Sequence, residues 1–285
     1  MSDFSQQVAI VTGGGSGIGL AFTTLLHSKG CSVVIGDLAL TEDAKKLVEC
    51  AAGKVVFKQT DVTNWKQLAE LFSFTETKLG APDIVCPGAG IFEPKWSSFW
   101  NDTEENSYKT IDINITHPTK ATRLAIRSMI RAKKGGTIVH ISSIGGQTTR
   151  LSVPIYCATK AYINHFVRAF AGLDDEQGIR VLGVAPGLVR SPLWFKENPD
   201  KLKSVGENDL WIEPSEIAEV LLECCEKNSQ WTAGTIVEAS GQGRRREVKV
   251  FNDEGPPGIG RSAGANMSLE DDVLAMLKEE RARKY

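Results

Sequence analysis

The sequence lacks the patterns of metal-binding, membrane-spanning and nucleic-acid-binding proteins. Its six cysteines include no C-x-x-C pair and its four histidines have no metal-ligand spacing, so we expect no metal site. No apolar run approaches the roughly 18 residues of a membrane span, and the first one, Val8–Val11, is too short for a signal peptide. The 33 basic and 35 acidic residues give a net charge of −2, which predicts no nucleic-acid surface. We expect a soluble, cytoplasmic protein.

Short apolar runs alternate with longer amphipathic stretches, as in a parallel sheet covered by helices. The predicted strands are Val8–Val11, Ser32–Gly36, Val55–Lys58, Asp83–Cys86, Thr137–Ile141, Val181–Ala185 and Thr235–Val237. The predicted helices are Ile18–Ser28, Glu42–Cys50, Trp65–Lys78, Glu104–Ala132, Val153–Glu176 and Pro214–Glu226. We therefore predict an α/β fold of Rossmann type, with a doubly wound, seven-stranded parallel sheet and helices on both faces.

Two segments interrupt this alternation. Residues 190–212 follow a strand and are predicted to form a loop over the carboxyl edge of the sheet. Residues 244–285 form a predicted C-terminal extension, rich in glycine and proline, that ends in a short helix capped by Ser268. We expect that helix to dock on this chain or a neighbour through its apolar residues, which are Leu269, Val273, Met276 and Leu277.

A glycine-rich turn joins the first predicted strand to the first predicted helix. Glycine permits a tight turn there and lets a pyrophosphate approach the backbone at a helix N-terminus. Glycine clusters also serve ordinary turns, but this position favours a dinucleotide site. The predicted contacts in the turn are Gly13, Gly15, Ser16, Gly17, Ile18 and Gly19.

Asp37 ends the second predicted strand, at the point where dinucleotide-binding folds place an acid that contacts the adenine ribose. A carboxylate there accepts hydrogen bonds from the ribose hydroxyls and repels a 2′-phosphate, and neither Ser16 nor Leu38 supplies a cation. We therefore predict NAD rather than NADP; the alternative is an aspartate that merely starts a turn. Asp61 and Val62, after the third strand, are predicted to hold the adenine.

Tyr156 and Lys160 are spaced to share one face of a predicted helix. A tyrosine with a pKa near ~10 is a poor base, but an adjacent cation and an oxidised nicotinamide favour its phenolate. Ser143, just after the strand that ends at Ile141, can bond the same substrate oxygen. On an isolated helix, however, such a pair would usually face solvent.

These motifs, taken together and in this order, resemble those of the short-chain dehydrogenase/reductase family over about residues 6–241. The resemblance rests on the Thr12–Gly19 turn, Asp61, Ala89-Gly90, Asn114, Ser143, Tyr156, Lys160 and Pro186-Gly187. Within the family, the Tyr156–Lys160 run and residues 214–241 look most like those of NAD-dependent 15-hydroxyprostaglandin dehydrogenases. The length would also fit two small domains, but seven strands in one doubly wound sheet predict a single dinucleotide-binding catalytic domain over residues 1–243, with 190–212 as its substrate loop.

The resemblance also implies a role for each of four catalytic residues. Tyr156 would be the general acid/base and Ser143 would orient the substrate oxygen. Lys160 would lower the pKa of Tyr156 and hold the nicotinamide ribose, while Asn114 would anchor a water that relays protons. The implied cofactor contacts beyond the glycine turn and the adenine site are Leu38, Ala89, Gly90, Tyr156, Lys160, Pro186, Gly187, Val189 and Ser191.

One segment departs from the family pattern. Pro87-Gly88 stand where two asparagines are usual, so the amide side chains that brace the central sheet are missing. Pro87 also has no backbone N–H to donate. We expect altered stability or cofactor affinity rather than loss of activity.

Aromatic residues in the segments near the predicted site suggest a concave, apolar substrate pocket, although they could equally pack loops onto the domain. The predicted pocket residues are Phe92, Trp96, Gln147, Leu193 and Trp194. We expect an NAD-dependent oxidoreductase that interconverts a hydrophobic secondary alcohol and its ketone. The alternatives are an NADPH-linked ketoreductase of secondary metabolism and a non-catalytic dinucleotide-binding sensor or scaffold. The resemblance implies a homodimer or homotetramer assembled through the helices at 104–132 and 153–176.

Overall fold

The computed structural model describes residues 4–105, 107–249 and 268–283. Its strands are β1 (Val8–Thr12), β2 (Ser32–Asp37), β3 (Val55–Gln59), β4 (Ile84–Pro87), β5 (Gly136–Ile141), β6 (Ile179–Pro186), β7 (Leu188–Val189), β8 (Trp211–Ile212), β9 (Ile236–Ala239) and β10 (Arg245–Glu247). Its helices are α1 (Gly17–Ser28), α2 (Glu42–Cys50), α3 (Trp65–Lys78), α4 (Lys109–Ile111), α5 (His117–Arg131), α6 (Pro154–Arg168), α7 (Leu173–Gln177), α8 (Pro192–Phe195), α9 (Pro214–Cys225) and α10 (Ser268–Ala282). None of these helices is long and apolar enough to cross a bilayer.

An eight-stranded sheet, in the order β10-β9-β6-β5-β4-β1-β2-β3, forms the centre of the fold. Alternate residues of β1 face opposite layers: Ala9 and Val11 pack with α1 and α9, whereas Ile10 packs with α3, α5 and α6. The chain runs outward in opposite directions from β1 and β4, which lie side by side. In such sheets, ligands bind at the carboxyl ends of the strands where this reversal occurs.

The Rossmann-type fold and its seven parallel strands are confirmed, and the sheet has one further strand that was not predicted. The eighth strand, β10, pairs antiparallel with β9 at the edge of the sheet. Its sequence, Arg245–Glu247, is short and charged and so lacks the apolar signal of a buried strand. Instead, Arg246 forms an ion pair with Glu238 of β9 at 2.7 Å.

Two predicted long helices are each interrupted. The one predicted at 104–132 begins only at Lys109, and a π-helical turn at Asp112–Thr116 separates α4 from α5. Pro118 contributes to this turn because it has no N–H to donate to the carbonyl of Asn114, as an α-helix requires. The one predicted at 153–176 ends at Arg168, and α7 begins separately after Gly172.

Short strands pair with each other at the two ends of residues 190–212. Strands β7 and β8 pair in parallel, with Leu188 opposite Trp211 and Val189 opposite Ile212. Between them lie α8 and a 3₁₀ turn, Pro199–Ser204. The β7–β8 pairing therefore holds the two ends of this loop next to each other.

The C-terminal helix α10 docks on this chain. Arg123 of α5 pairs with Glu280 at 2.6 Å, and the Arg281 guanidinium donates to Gln177 of α7 at 3.0 Å. Leu277 is buried, whereas Val273 and Met276 remain exposed. The side chains of Leu269 and of the predicted cap Ser268 lie outside the described part of the chain.

Two histidines are buried in the neutral form. The Nδ1–H of His117 donates to the Ile113 carbonyl at 3.1 Å, so its Nε2 accepts from the Thr12 hydroxyl at 3.0 Å. Nε2 of His140 contacts Thr122 at 3.1 Å, and its Nδ1 has no hydrogen-bond partner. Burial lowers the pKa of His117 to about 4 and that of His140 to about 3.

These histidines predict a loss of stability in mild acid. Unfolded histidine binds a proton below about pH 6.5, whereas the folded pair stays neutral down to about pH 4. The free energy of unfolding should therefore fall as the pH drops from 7 to 5, by about 2 kcal/mol for each histidine. Urea unfolding at both pH values measures this. His140→Gln should reduce the loss of unfolding free energy between pH 7 and pH 5 by the amount that His140 contributes. His165→Gln, at an exposed position, should not reduce it. An equal change in unfolding free energy between the two pH values in the wild type and in both variants would contradict the prediction.

Candidate active site

A cavity of about 410 Å³ opens at the carboxyl ends of β1 and β4. The structure brings seventeen of the eighteen predicted cofactor residues to its lining, which are Gly13, Ser16, Gly17, Ile18, Gly19, Asp37, Leu38, Asp61, Val62, Ala89, Gly90, Tyr156, Lys160, Pro186, Gly187, Val189 and Ser191. The remaining one, Gly15, lies behind Asp37 and donates its backbone N–H to the carboxylate at 2.9 Å.

The glycine turn packs too closely for side chains. Gly13 has φ of +69°, and a Cβ there would lie 2.7 Å from Cα of Ala89. A Cβ on Gly19 would lie 2.1 Å from the carbonyl oxygen of Gly13. The N-terminus of α1 therefore faces the cavity across bare backbone, an arrangement that fits a pyrophosphate.

The Asp37 carboxylate is held in place by the backbone. Its Oδ2 accepts from Gly15 N at 2.9 Å and its Oδ1 accepts from Leu38 N at 2.7 Å. Each carboxylate oxygen keeps a second lone pair that can accept from a ribose hydroxyl. Asp37 can thus contact a dinucleotide without a change of rotamer.

The charges around this cavity are mostly negative. Asp37, Asp61 and Glu197 are its acidic residues, and Lys160 is the one basic side chain among the described residues that line it. The pKa of Glu197 is raised, mainly by burial and further by the charge of Asp37. The sequence analysis missed Glu197 because it reaches the cavity from residues 190–212, whose path had no sequence signal.

Tyr156 and Lys160 project into the cavity from one face of α6, and Ser143 enters from the end of β5. The Lys160 ammonium donates to the Ile141 carbonyl at 2.8 Å and lies 5.6 Å from the centre of the Tyr156 ring. Burial raises the pKa of Tyr156 to about 12, although the Ser143 hydroxyl acts to lower it. Burial also lowers the pKa of Lys160 to about 8.

The expectation that Lys160 lowers the pKa of Tyr156 stays a prediction, because it depends on an oxidised nicotinamide as well as on the ammonium. Desolvation of the buried phenol favours its neutral form. A neutral phenol is a proton donor. This is the form required to reduce a ketone.

Asn114 connects three parts of the site. Its Oδ1 accepts from Ile91 N at 3.0 Å and its Nδ2 donates to the Ile91 carbonyl at 2.9 Å. The same Nδ2 donates to Thr159 of α6 at 3.2 Å, and Thr159 in turn bonds the Tyr156 carbonyl at 2.7 Å. Asn114 thus aligns the loop after β4 with the helix that carries Tyr156. Both hydrogens of its Nδ2 are donated to protein atoms, so this nitrogen has none left for a water. The implied role of Asn114 in a water relay stays a prediction.

A family model described as short chain dehydrogenase matches residues 7–202. The chain belongs to this family. A cis-4-hydroxycyclohexanecarboxylate dehydrogenase of Sinomonas cyclohexanicum is 31% identical over 242 residues, which are 84% of this chain and 96% of that protein. An uncharacterized oxidoreductase of Staphylococcus aureus strain USA300 is 30% identical over 223 residues, 78% of this chain and 92% of that protein.

A solved structure agrees with this assignment. The crystal structure of a short-chain type dehydrogenase/reductase from Mycobacterium marinum superimposes with a TM-score of 0.74 at 25% identity. The match covers 84% of this chain and 96% of that one. The protein is therefore a short-chain dehydrogenase-type oxidoreductase, from a family that binds NAD or NADP.

In this short-chain dehydrogenase, the structure explains why glycine stands at position 88. A Cβ on Gly88 would lie 2.9 Å from the Thr12 carbonyl, so an asparagine does not fit there without movement. The Thr12 hydroxyl instead accepts from Ala89 N at 3.4 Å and contacts Nε2 of His117 at 3.0 Å. Thr12 and His117 thus supply a polar brace between β1, the loop after β4 and α5.

A second cavity of about 320 Å³ adjoins the first and shares Tyr156 and Ser143 with it. Its lining includes the predicted residues Phe92, Leu193 and Trp194. Phe92 lies 4.6 Å from the Tyr156 ring and 4.7 Å from the Trp194 ring, centre to centre. These contacts place an apolar surface next to the phenol.

The structure does not bring Trp96 or Gln147 to either cavity. Trp96 lies in a 3₁₀ turn with its side chain 60% exposed, and Trp100 lines the second cavity instead. Gln147 turns towards β9, where its Nε2 donates to Glu238 at 3.1 Å. A sequence spacing places a residue in a loop, but it does not determine which way a loop side chain points.

Glu93 is a buried carboxylate of the second cavity that the sequence analysis missed. One oxygen accepts from Phe99 N at 3.1 Å and the other accepts from Tyr156 N, in the first turn of α6, at 2.8 Å. Its backbone has φ of +43°, a conformation unfavourable for a residue with a side chain. Glu93 therefore caps the helix that presents Tyr156, through a turn that no local pattern indicates.

Proposed function

We propose that this protein is an NAD-dependent oxidoreductase that interconverts a hydrophobic secondary alcohol and its ketone. The observation that carries the proposal is that Tyr156 and Ser143 lie at the junction of the two cavities. A substrate oxygen in the second cavity can reach both hydroxyl groups, while the first cavity has the size and backbone of a dinucleotide site. The nicotinamide, when bound, supplies or accepts the hydride.

Each catalytic residue has a role that its contacts support. In ketone reduction, the neutral Tyr156 donates its proton to the carbonyl oxygen, and the Ser143 hydroxyl hydrogen-bonds the same atom. In alcohol oxidation, the phenol must first lose its proton, which the buried Lys160 ammonium and a positively charged nicotinamide favour. Lys160 is also placed to bind the nicotinamide ribose.

Asp37 supports NAD as the cofactor. A 2′-phosphate would approach this carboxylate, and Asp61 and Glu197 line the same cavity. The resemblance to 15-hydroxyprostaglandin dehydrogenases stays a prediction. The relative from Sinomonas cyclohexanicum is named for a cyclic secondary alcohol, which supports a similar substrate here.

The homodimer or homotetramer also stays a proposal from the family resemblance. It would involve α5 and α6, and α10 of this chain already covers part of α5. A cytoplasmic location and a single domain over 1–243 are proposals of the same kind.

A turnover assay tests the function directly. The purified protein is mixed with NAD and a panel of secondary alcohols, including cyclohexanol and 4-hydroxycyclohexanecarboxylate, and NADH absorbance is followed. We expect NADH to form with at least one cyclic alcohol, and the matching ketone to be reduced with NADH. Tight NADH binding without turnover would favour the sensor or scaffold, and turnover only with NADPH would favour the ketoreductase of secondary metabolism.

A further inference from the structure

The second cavity carries more positive charge than the first. Its basic residues are Lys95, Arg150, Lys201 and Lys203, and its acidic residues are Glu93, Asp200 and Asp209. The first cavity, in contrast, has one basic residue against three acidic ones. An anionic group would therefore meet a more favourable potential in the second cavity.

The acidic residues of the second cavity are already engaged. Glu93 accepts from two backbone amides, and Asp209 accepts from Gly206 N at 2.8 Å. Asp200 lies 3.8 Å from the Lys95 ammonium. Lys201 is engaged as well, since its ammonium donates to the carbonyls of Phe92 and Glu93 and to Asn198 at 2.7–2.8 Å.

Of the basic residues that line the second cavity, Arg150 and Lys203 have side chains with no charged or hydrogen-bonding partner among the described residues. Arg150 also has a well-placed backbone: its carbonyl accepts from Val153 N at 3.2 Å, just before α6. The next residue, Leu151, is held by the Trp100 indole N–H at 2.7 Å.

The inner wall of the cavity is apolar. Phe92, Val153, Cys157, Leu193 and Trp194 pack together around Tyr156. One ligand in this cavity can thus contact Tyr156 with its carbinol, this cluster with its hydrocarbon body, and the unpaired cations with an anionic group. The planar guanidinium fork matches the two oxygens of a carboxylate.

We propose that the substrate is a hydroxy acid whose secondary alcohol lies at Tyr156 and whose carboxylate is bound by Arg150, with Lys203 contributing charge. This inference rests on the proposed function and narrows it from any hydrophobic alcohol to one with an anionic end. Because Arg150 is exposed, solvent weakens its attraction, and we expect a preference of about 10-fold in kcat/KM.

The test compares 4-hydroxycyclohexanecarboxylate with its carboxamide, which keeps the ring and hydroxyl but removes the charge. The wild-type protein should favour the acid, and the ratio of kcat/KM for acid over amide should fall about 10-fold in Arg150→Gln, mainly through KM. Arg150→Lys should recover part of the ratio. Arg127→Gln, on α5 and outside both cavities, should leave the ratio unchanged. A ratio near one in the wild type, or no change in Arg150→Gln, would overturn the inference.

A binding measurement separates this inference from the proposed function. Calorimetry with NADH present compares cyclohexanecarboxylate with cyclohexanecarboxamide, neither of which can be oxidised at a carbinol. Tighter binding of the carboxylate that is lost in Arg150→Gln supports the inference even if no alcohol is turned over. Turnover of cyclohexanol without any carboxylate preference would retain the function and overturn the inference.

Discussion

Replacing Tyr156 by phenylalanine should lower kcat/KM by about 1,000-fold in both directions, since general acid–base catalysis contributes roughly 100- to 10,000-fold. The substitution removes one oxygen from a buried ring that packs 4.6 Å from Phe92, centre to centre, and leaves the packing surface unchanged. Ser143 remains but cannot replace the proton donor, because an aliphatic hydroxyl is a much weaker acid than a phenol. The measurement is steady-state kinetics with a cyclic alcohol and NAD, and with its ketone and NADH.

Tyr162→Phe is the matched control for this variant. Tyr162 lies on the same helix, but its hydroxyl bonds Thr119 at 2.8 Å and it lines neither cavity. The Tyr162→Phe variant loses the same phenolic oxygen as Tyr156→Phe. It should keep activity within about two-fold and lose about 1 kcal/mol of stability. NADH binding to Tyr156→Phe, followed by fluorescence, should stay within about 10-fold of wild type. If Tyr156→Phe turned over at the wild-type rate, the proton donor would be a different group and the proposed mechanism would be wrong.

The features whose position in the fold follows from the sequence are those in which spacing along one element dictates the geometry. The glycine turn, Asp37 and the Tyr156–Lys160 pair each depend on a strand end or a helical repeat, so local spacing places them at the same edge of the sheet. The apolar periodicity of the strands likewise predicted the order of layers, because burial on both faces selects that pattern.

The features that were missed depend on contacts between distant segments. Glu93 caps α6 from a loop with positive φ, and Glu197 reaches the first cavity across the fold. Trp96 was misplaced because exposed and buried tryptophans in a loop have the same sequence signal. The desolvation that raises the pKa of Tyr156 also follows from packing between distant segments, whereas the separation of Tyr156 and Lys160 follows from spacing along one helix.

Asp37 should give NADH an advantage of about 100-fold over NADPH in binding affinity. The 2′-phosphate of NADPH would lie beside a carboxylate, and like charges in contact cost several kcal/mol. Because Gly15 N and Leu38 N hold both carboxylate oxygens, Asp37 cannot easily turn away to relieve the repulsion. Calorimetric titration of the wild-type protein with each cofactor measures the ratio of the two dissociation constants.

Asp37→Ser should reduce that ratio to within a few-fold, through changes in both affinities. NADH binding should weaken by about 10-fold, because the serine hydroxyl replaces two charged acceptors with one neutral acceptor, and NADPH binding should strengthen as the repulsion disappears. Asp43→Ser is the control: it makes the same substitution on α2, at a side chain that is 86% exposed, and should leave the ratio unchanged. Equal affinity of the wild-type protein for both cofactors would mean that Asp37 does not contact the ribose. Tighter binding of NADPH would pass the cofactor assignment to NADPH, while the roles of Tyr156 and Ser143, which depend on the other end of the cavity, would be unaffected by either result.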